Sequence, residues 1–181
     1  ECRGGVYFRA CQAATFGRIY VEDGPAYLLA CNGSTFVSLS VLGSSGAGVI
    51  IGRTGMADST GEVTKQGEGD VTLIAPRIEA TAGSGLDITT GTIVKVTGGH
   101  IERTAQADGW PVHLRRGSLS IDGVVFAALP SGQRGAALFR CGAGASQLSV
   151  DTCHHGGVAS AHRVEFEGAS TRFQQRLVRY G

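Results

Sequence analysis

The chain has 181 residues, with 16 Lys and Arg against 15 Asp and Glu, and its formal net charge is +1. This near balance argues against a polyanion such as nucleic acid as a partner. Glycine is the outlier, because its 29 residues are about twice ordinary usage and show no collagen period. We expect a single domain, spanning residues 1–181.

The five cysteines are an odd number, so they cannot all pair with one another inside the chain. Cys11, Cys31 and Cys141 lie in apolar strand patterns, where a free thiol packs as a small hydrophobic group. The cluster Cys153–His155 lacks a second pair of ligands at zinc-like spacing. We predict no metal site and no cofactor.

No stretch approaches the 18 consecutive apolar residues that a membrane-spanning helix needs, so we predict no membrane insertion. No signal peptide is visible at the N-terminus. The chain begins at Glu1 without an initiator Met. We therefore expect a fragment or a processed product.

A repeat near the N-terminus organises the chain. The segment Tyr7–Asp23 (YFRACQAATFGRIYVED) aligns with Tyr27–Gly43 (YLLACNGSTFVSLSVLG) at an offset of twenty residues, with six identities in seventeen positions. A period of about 20 to 50 residues is typical of solenoids. Each repeat has room for two or three short strands and no helix. We predict stacked coils, with Phe16 over Phe36 and Cys11 over Cys31.

The next coil opens at Val49–Ile51 and is then interrupted. Residues 52–70 are polar, glycine-rich and aperiodic, which predicts a long loop of functional or disordered character. Strand character returns at Val71–Ala80. Pro76 should lie at a corner there, because proline cannot donate to a sheet ladder.

From Leu86 onward the coils recur with a period near 26 residues. Short triplets open these coils at Leu86–Ile88, Val112–Leu114, Leu138–Arg140 and Val164–Phe166. The triplet Leu138–Arg140 is the exception, because its third residue is polar. Further strand segments follow at 92–96, 99–102, 118–122, 123–126 and 147–151. A capping segment at 169–181 ends the chain, and its residues 171–179 read as a short helix or a final strand.

Three strand segments per coil, each paired with the segment above, predict an all-β, parallel β-helix of about eight coils. Parallel sheets otherwise need crossover helices of about a dozen residues, and no stretch has a helical period of that length. The alternative is an antiparallel β-sandwich. Hairpin signals expected for a sandwich are present at Asp23–Gly24, Asn32–Gly33 and Asp122–Gly123.

Three motifs of the second half carry a resemblance: TIVKVTGGHIER, VHLRRGSLSIDGVVF and ALFRCGAGASQLSVDTCHHGG. They resemble right-handed parallel β-helix domains of the pectate-lyase-like superfamily, in character closest to those of bacteriophage tail spikes and tail fibres. The likeness covers about Gly5 to Gly168 and rests on coil pattern, without a catalytic signature. Many such domains stack asparagines at a corner, whereas this chain contains only Asn32.

The resemblance implies a right-handed coil that binds or cleaves long polysaccharides along its flank. It implies a structural or binding part of a virion appendage, in the virion or outside the cell. The implied partners are host polysaccharide or lipopolysaccharide, other tail proteins and two further copies in a homotrimer. One alternative is a polysaccharide-degrading hydrolase or lyase. Another is a bacterial surface or secreted β-helix without activity.

Candidate catalytic residues follow from the two carboxylates that a glycoside hydrolase needs, about 5–5.5 Å or about 6.5–9.5 Å apart. Asp122 and Asp151 each close an alternating strand, so stacking should place them on neighbouring strands about 4.8 Å apart. Glu165 is the third candidate and shares a strand face with Glu167. The simpler interpretation is structural, since Asp at a strand end commonly bonds its own backbone and the glutamates form a solvated face.

The candidate carbohydrate-binding residues are Trp110, His113 and Arg115. Trp110 lies in a linker, where its ring would stack on a sugar or cap the apolar core. Arg9, Arg115 and Arg140 should lie on related outward faces, where we expect solvation or contacts between subunits.

Overall fold

The computed structural model describes residues 1–52, 70–89, 93–102, 110–127, 138–155, 164–167, 172–175 and 178–180. All secondary structure in these residues is β. The strands are β1 (Cys2–Arg3), β2 (Val6–Arg9), β3 (Thr15–Gly17), β4 (Tyr20–Glu22), β5 (Ala26–Leu29), β6 (Ser34–Val37), β7 (Ser40–Leu42), β8 (Val49–Ile51), β9 (Val71–Ile74), β10 (Arg77–Glu79), β11 (Leu86–Ile88), β12 (Ile93–Thr97), β13 (His100–Glu102), β14 (Val112–Asp122), β15 (Val125–Ala127), β16 (Phe139–Asp151), β17 (Cys153–His155), β18 (Val164–Phe166), β19 (Arg172–Gln175) and β20 (Val178–Tyr180).

The strands form two sheets. An eight-stranded sheet has the order β1-β4-β7-β10-β13-β15-β17-β20. A twelve-stranded sheet curls back on itself and consists of two rows joined through the long strands β14 and β16. The first row contains β2, β5, β8, β11, the starts of β14 and β16, and β18. The second row contains β3, β6, β9, β12, the ends of β14 and β16, and β19.

Three consecutive strands advance the chain by one unit. Strands β2, β3 and β4 pair with β5, β6 and β7, which pair in turn with β8, β9 and β10. All pairings in the described residues are parallel, which confirms the predicted parallel all-β class and contradicts the antiparallel sandwich. This connectivity is consistent with a β-solenoid.

The twenty-residue repeat has the predicted register. Tyr7 pairs with Tyr27, and their rings stack with centroids 4.3 Å apart. Phe16 pairs with Phe36, with ring centroids 4.8 Å apart. The tyrosines lie on the outside, where Tyr7 is exposed, whereas Phe36 is fully buried. Identical residues at the repeat offset therefore become columns across neighbouring strands.

One predicted register is wrong. Pairing places Phe139–Cys141 beside Val112–Leu114, so the predicted triplet Leu138–Arg140 is displaced by one residue. Both ends of the corrected triplet are fully buried. A shift of one residue exchanges the two faces of a strand, so Arg140 takes the middle, outward position.

The interior is one apolar cluster, lined by both rows of the twelve-stranded sheet and by the eight-stranded sheet. Period-two alternation creates it, as in β5, where Ala26 and Leu28 are buried while Tyr27 and Leu29 are partly exposed. Burying one large apolar side chain stabilises the fold by roughly 1.5–3 kcal/mol. The largest fully buried side chains include Phe36, Phe126, Phe139, Leu28, Leu39 and Ile51.

Other predictions have mixed outcomes. Pro76 lies between β9 and β10, at the predicted corner. Of the two alternatives at residues 171–179, the strand is observed, because β19 pairs with β16 and β20 with β17. The predicted loop at 52–70 lies outside the described residues except at its two ends. No helix suited to crossing a membrane occurs in the described ranges.

Candidate functional site

A groove of about 730 Å³ opens on the outer surface where β14 and β16 bend from the first row into the second. The register shifts at this bend lie between Leu114 and Arg116 and between Gly117 and Ser118. Gly117 has φ of 85°, a left-handed conformation that glycine adopts at little cost. The polar and aromatic side chains that line the groove are Ser84, Asp87, Trp110, His113, Arg115, Arg116, Arg140 and Glu167.

An outward column of the first row supplies part of this lining. Asp87 pairs with His113, His113 with Arg140, and Arg140 with Glu165. Each is the middle residue of its triplet, and neighbouring strands lie about 4.8 Å apart. The alternation that buries the flanking apolar residues therefore presents these polar side chains to the outside.

Arg115 binds Asp87 diagonally across two strands. Its Nε lies 2.8 Å from Oδ1 of Asp87 and its Nη2 lies 2.9 Å from Oδ2. Such a bidentate, charge-assisted pair is stronger and more specific in direction than a neutral hydrogen bond. Because Asp87 is buried, the pair anchors Arg115 at the groove.

Arg140 makes a second pair in the opposite diagonal direction. Its Nε lies 2.6 Å from Oε1 of Glu167, and its Nη2 donates to the same oxygen. The hydrogen bond from Arg140 lowers the pKa of Glu167 below its ordinary value. The Arg140 guanidinium carbon also lies 4.0 Å from the centroid of the Trp110 ring, a cation–π arrangement.

Trp110 lies at the groove and not in the apolar cluster. Its backbone N–H donates to Ser84 Oγ at 3.4 Å. Its ring centroid is 5.4 Å from that of His113, with the planes tilted by 58°. The structure therefore favours the surface alternative for Trp110 over the core cap.

His113 is buried against the groove wall. Burial lowers the pKa of His113, the positive charge of Arg115 lowers it further, and Asp87 opposes the shift. The imidazole is therefore neutral at neutral pH, with one nitrogen that donates and one that accepts.

The groove carries more positive than negative charge. Two arginines are paired with the two carboxylates, whereas Arg116 is exposed and has no carboxylate partner within the described part of the chain. Gly144 packs beside Arg116, where a Cβ would lie 2.5 Å from the arginine Cγ. Polar or acidic ligands therefore suit this surface better than apolar ones.

The structure brings the three predicted carbohydrate-binding residues together, since Trp110, His113 and Arg115 all line the groove. It does not bring together the three catalytic candidates. Asp122 and Asp151 pair at the ends of β14 and β16 in the second row, as the stacking predicted, and neither lines the groove.

The three catalytic candidates lie outside the groove. The hydroxyl of Thr152 donates to Oδ1 of Asp122. Glu165 is exposed in the first row, on a different row from the two aspartates, and lies outside the groove lining.

Sequence reasoning missed Asp87, placed Glu167 on a solvated strand face with Glu165, and gave Arg140 a general surface role. The signal for Asp87 and Arg140 was present, because both occupy the middle of a triplet. The displaced register at Leu138–Arg140 hid it. Glu167 follows a strand end, and nothing local in the sequence marks its contact with Arg140.

No protein-family model matches the chain, and neither the curated proteins nor the solved structures contain a match.

Proposed function

We propose that the chain is a right-handed parallel β-helix of about eight coils, of the pectate-lyase-like kind, from a phage tail spike or a similar virion appendage. In this proposal the groove binds host surface polysaccharide or lipopolysaccharide. The protein acts in the virion or outside the cell, as a homotrimer in contact with other tail proteins. A bacterial surface or secreted β-helix that binds the same class of glycan is the nearest variant of this proposal.

The observation that carries the binding proposal is the meeting of Trp110, His113 and Arg140 in one groove. Ligand sites combine aromatic surface with a few fixed polar groups. Arg140 lies over the Trp110 ring and is held by Glu167. Asp87 holds Arg115 in the same way. A sugar ring needs both an apolar surface and directed hydrogen bonds. The partly exposed Trp110 would supply the first, although Arg140 covers one face of its ring, and the neighbouring polar side chains would supply the second.

The outward column of the first row continues beyond the groove, which favours a long ligand. Ile50 pairs with Asp87 on one side and with Tyr27 on the other, and Tyr27 stacks on Tyr7. The groove and the exposed aromatic pair therefore lie in one line along the first row. A polymer has more to contact along such a line than a single sugar does.

Glu167 argues for binding over hydrolysis at the groove. A glycosidase needs one carboxylic acid with a raised pKa as proton donor. The pKa of Glu167 is lowered by Arg140, and Asp87 is held in a bidentate pair with Arg115. The degrading enzyme remains the alternative proposal, with Asp122, Asp151 and Glu165 as its carboxylates.

Trp110 is the only tryptophan of the chain, so its fluorescence reports on the groove alone. The probes are neutral and uronate-containing capsule oligosaccharides and lipopolysaccharide O-chains. We expect a saturable change in emission with at least one probe. His113→Ala should abolish the change, whereas Ser120→Ala, on the same strand outside the groove, should preserve it.

Absence of saturable binding by every probe, checked by calorimetry, would overturn the binding proposal. Shortening of a polymer during incubation, measured by size-exclusion chromatography, would favour the enzyme instead. Light scattering tests the trimer separately, and a monomeric mass would remove that part of the proposal.

A further inference from the structure

We propose that Glu79, His100 and Glu102 form a binding site for a transition-metal dication such as Zn²⁺. The three residues lie on the outside of the eight-stranded sheet, on the neighbouring strands β10 and β13. None of them lines the groove. The inference therefore stands or falls independently of the glycan proposal.

Strand register brings the ligands together. Arg77 pairs with His100 and Glu79 pairs with Glu102, so two carboxylates and one imidazole share a small area of one face. His100 Nδ1 lies 3.6 Å from Oε1 of Glu79, and its Nε2 lies 3.2 Å from Oε2 of Glu102. One ligand atom from each residue lies within 4.8 Å of the other two.

These separations suit a small cation. Zinc binds imidazole nitrogen and carboxylate oxygen at about 2.0–2.2 Å, so tetrahedral ligand atoms lie about 3.4 Å apart. The distance from His100 Nε2 to Glu102 Oε2 is already close to that value. Glu79 faces the other ring nitrogen, Nδ1, so its carboxylate would have to turn towards Nε2, and the three ligand atoms already lie within 4.8 Å of one another.

His100 supplies a second, independent observation. Its Nε2 is shielded from solvent and makes no hydrogen bond to any described residue, although Glu102 lies nearby. A buried polar atom without a partner destabilises a fold. A bound cation would give this nitrogen its missing partner.

The carboxylates also point to a cation. Like charges directly opposite each other on neighbouring strands are destabilising, and Glu79 and Glu102 are directly opposite. Arg77 already binds Glu79, with Nε 2.5 Å from Oε1 and Nη2 3.1 Å from Oε2. It holds that carboxylate in place, and a metal would take over one of the two bonds.

The ligand set favours zinc or a similar metal over calcium. Imidazole suits Zn²⁺, Ni²⁺, Cu²⁺ and Fe²⁺, whereas hard cations prefer oxygen alone. Ca²⁺ takes about 6–8 oxygen ligands, more than two carboxylates supply. Three protein ligands leave a fourth position for water or another small ligand.

The test is calorimetric titration of the whole, chelator-treated protein with Zn²⁺ and, separately, with Ca²⁺. We expect one Zn²⁺ per chain and no saturable Ca²⁺ binding. His100→Ala and Glu102→Gln should each weaken Zn²⁺ binding more than about tenfold. His154→Ala, an exposed histidine of the same sheet, should bind as the wild type does.

The spectrum of bound Co²⁺ separates this site from a thiolate site, and the second variant separates it from a folding defect. The absorption of bound Co²⁺ should lack the thiolate charge-transfer band that Cys2 or Cys11 ligation would produce. If His100→Ala fails to fold, the isosteric Glu102→Gln variant provides the same comparison. Absence of saturable Zn²⁺ binding, or unchanged affinity in both variants, would overturn the proposal, because the cluster would then be an ion-pair network only.

Discussion

Arg115 and Asp87 form a bidentate pair, with Nε 2.8 Å from Oδ1 and Nη2 2.9 Å from Oδ2. The pair fastens the bend of β14 to β11 of the preceding unit. Asp87→Asn should lower the free energy of unfolding by about 1–3 kcal/mol, because the buried position keeps its volume and loses its charge-assisted bonds. Urea denaturation measures this loss.

The matched control for that variant is Glu165→Gln, an exposed acid in the same outward column. It should change the free energy of unfolding by less than about 0.5 kcal/mol. Equal effects of the two substitutions would contradict the anchoring role of Asp87.

Two adjacent substitutions test the corrected register. Phe139→Ala should destabilise the protein by about 3–5 kcal/mol, because Phe139 is fully buried. Arg140→Ala should cost less than about 1 kcal/mol, since an exposed ion pair contributes little. Thermal and urea unfolding give the ranking, and the reverse ranking would restore the register with Leu138 and Arg140 inside.

Stability should depend on pH through His113. Its pKa is lowered in the folded protein, by burial first and then by Arg115. The unfolded chain therefore binds more protons below the ordinary pKa of 6.5, and the free energy of unfolding should fall as the pH drops from 6.5 towards the lowered value. Urea denaturation at a series of pH values measures this slope.

His113→Gln should remove that part of the slope. The charged and titratable groups around His113 are Asp87, Arg115, Arg140 and Glu167. Glu167 titrates in a separate range, because its pKa lies below its ordinary 4.5. An unchanged slope between pH 6.5 and 5 in the variant would contradict the assignment to His113.

Thiol reactivity should divide the five cysteines into two classes. Burial raises the pKa of Cys31 to about 12 and those of Cys141 and Cys153 to about 11. The thiolate is the reactive form, so these three should resist alkylation in the native state. Cys2 and Cys11 are partly exposed and should react first, as peptide mapping by mass spectrometry will show.

All five thiols should react once the protein is unfolded in denaturant, which controls for incomplete labelling. Rapid labelling of Cys31 in the native protein would contradict the burial of this thiol.

The sequence was most informative where residues repeat. Tyr7 and Tyr27, and Phe16 and Phe36, occupy equivalent positions because an exact offset leaves one register that matches both the aromatic rings and the alternation. At residues 138–141 two registers put an apolar residue first, since Leu138 and Phe139 are both buried. Treating Cys141 as the third apolar position would have selected the correct one.

The groove was predictable in its members but not in its contacts. Trp110, His113 and Arg115 are close in sequence, and their proximity follows from one strand and its preceding linker. The Arg140–Glu167 pair joins β16 to a residue that follows β18, 27 residues further along the chain, and no local pattern encodes it. The cluster around His100 had a signal, since Arg77–Glu79 (RIE) matches His100–Glu102 (HIE), but their 23-residue offset differs from both of the repeat periods.

The outward column from Tyr7 to Glu165 has a consequence for how such a surface can change. Each three-strand unit contributes one residue to it, so the duplication or loss of a whole unit would alter the distance between the tyrosine pair and the groove by about 4.8 Å. The contacts within each of the remaining units would be unaffected. Recombination that adds or removes a unit would therefore change the length of this surface. Point mutation would change the side chain at one position without changing that length.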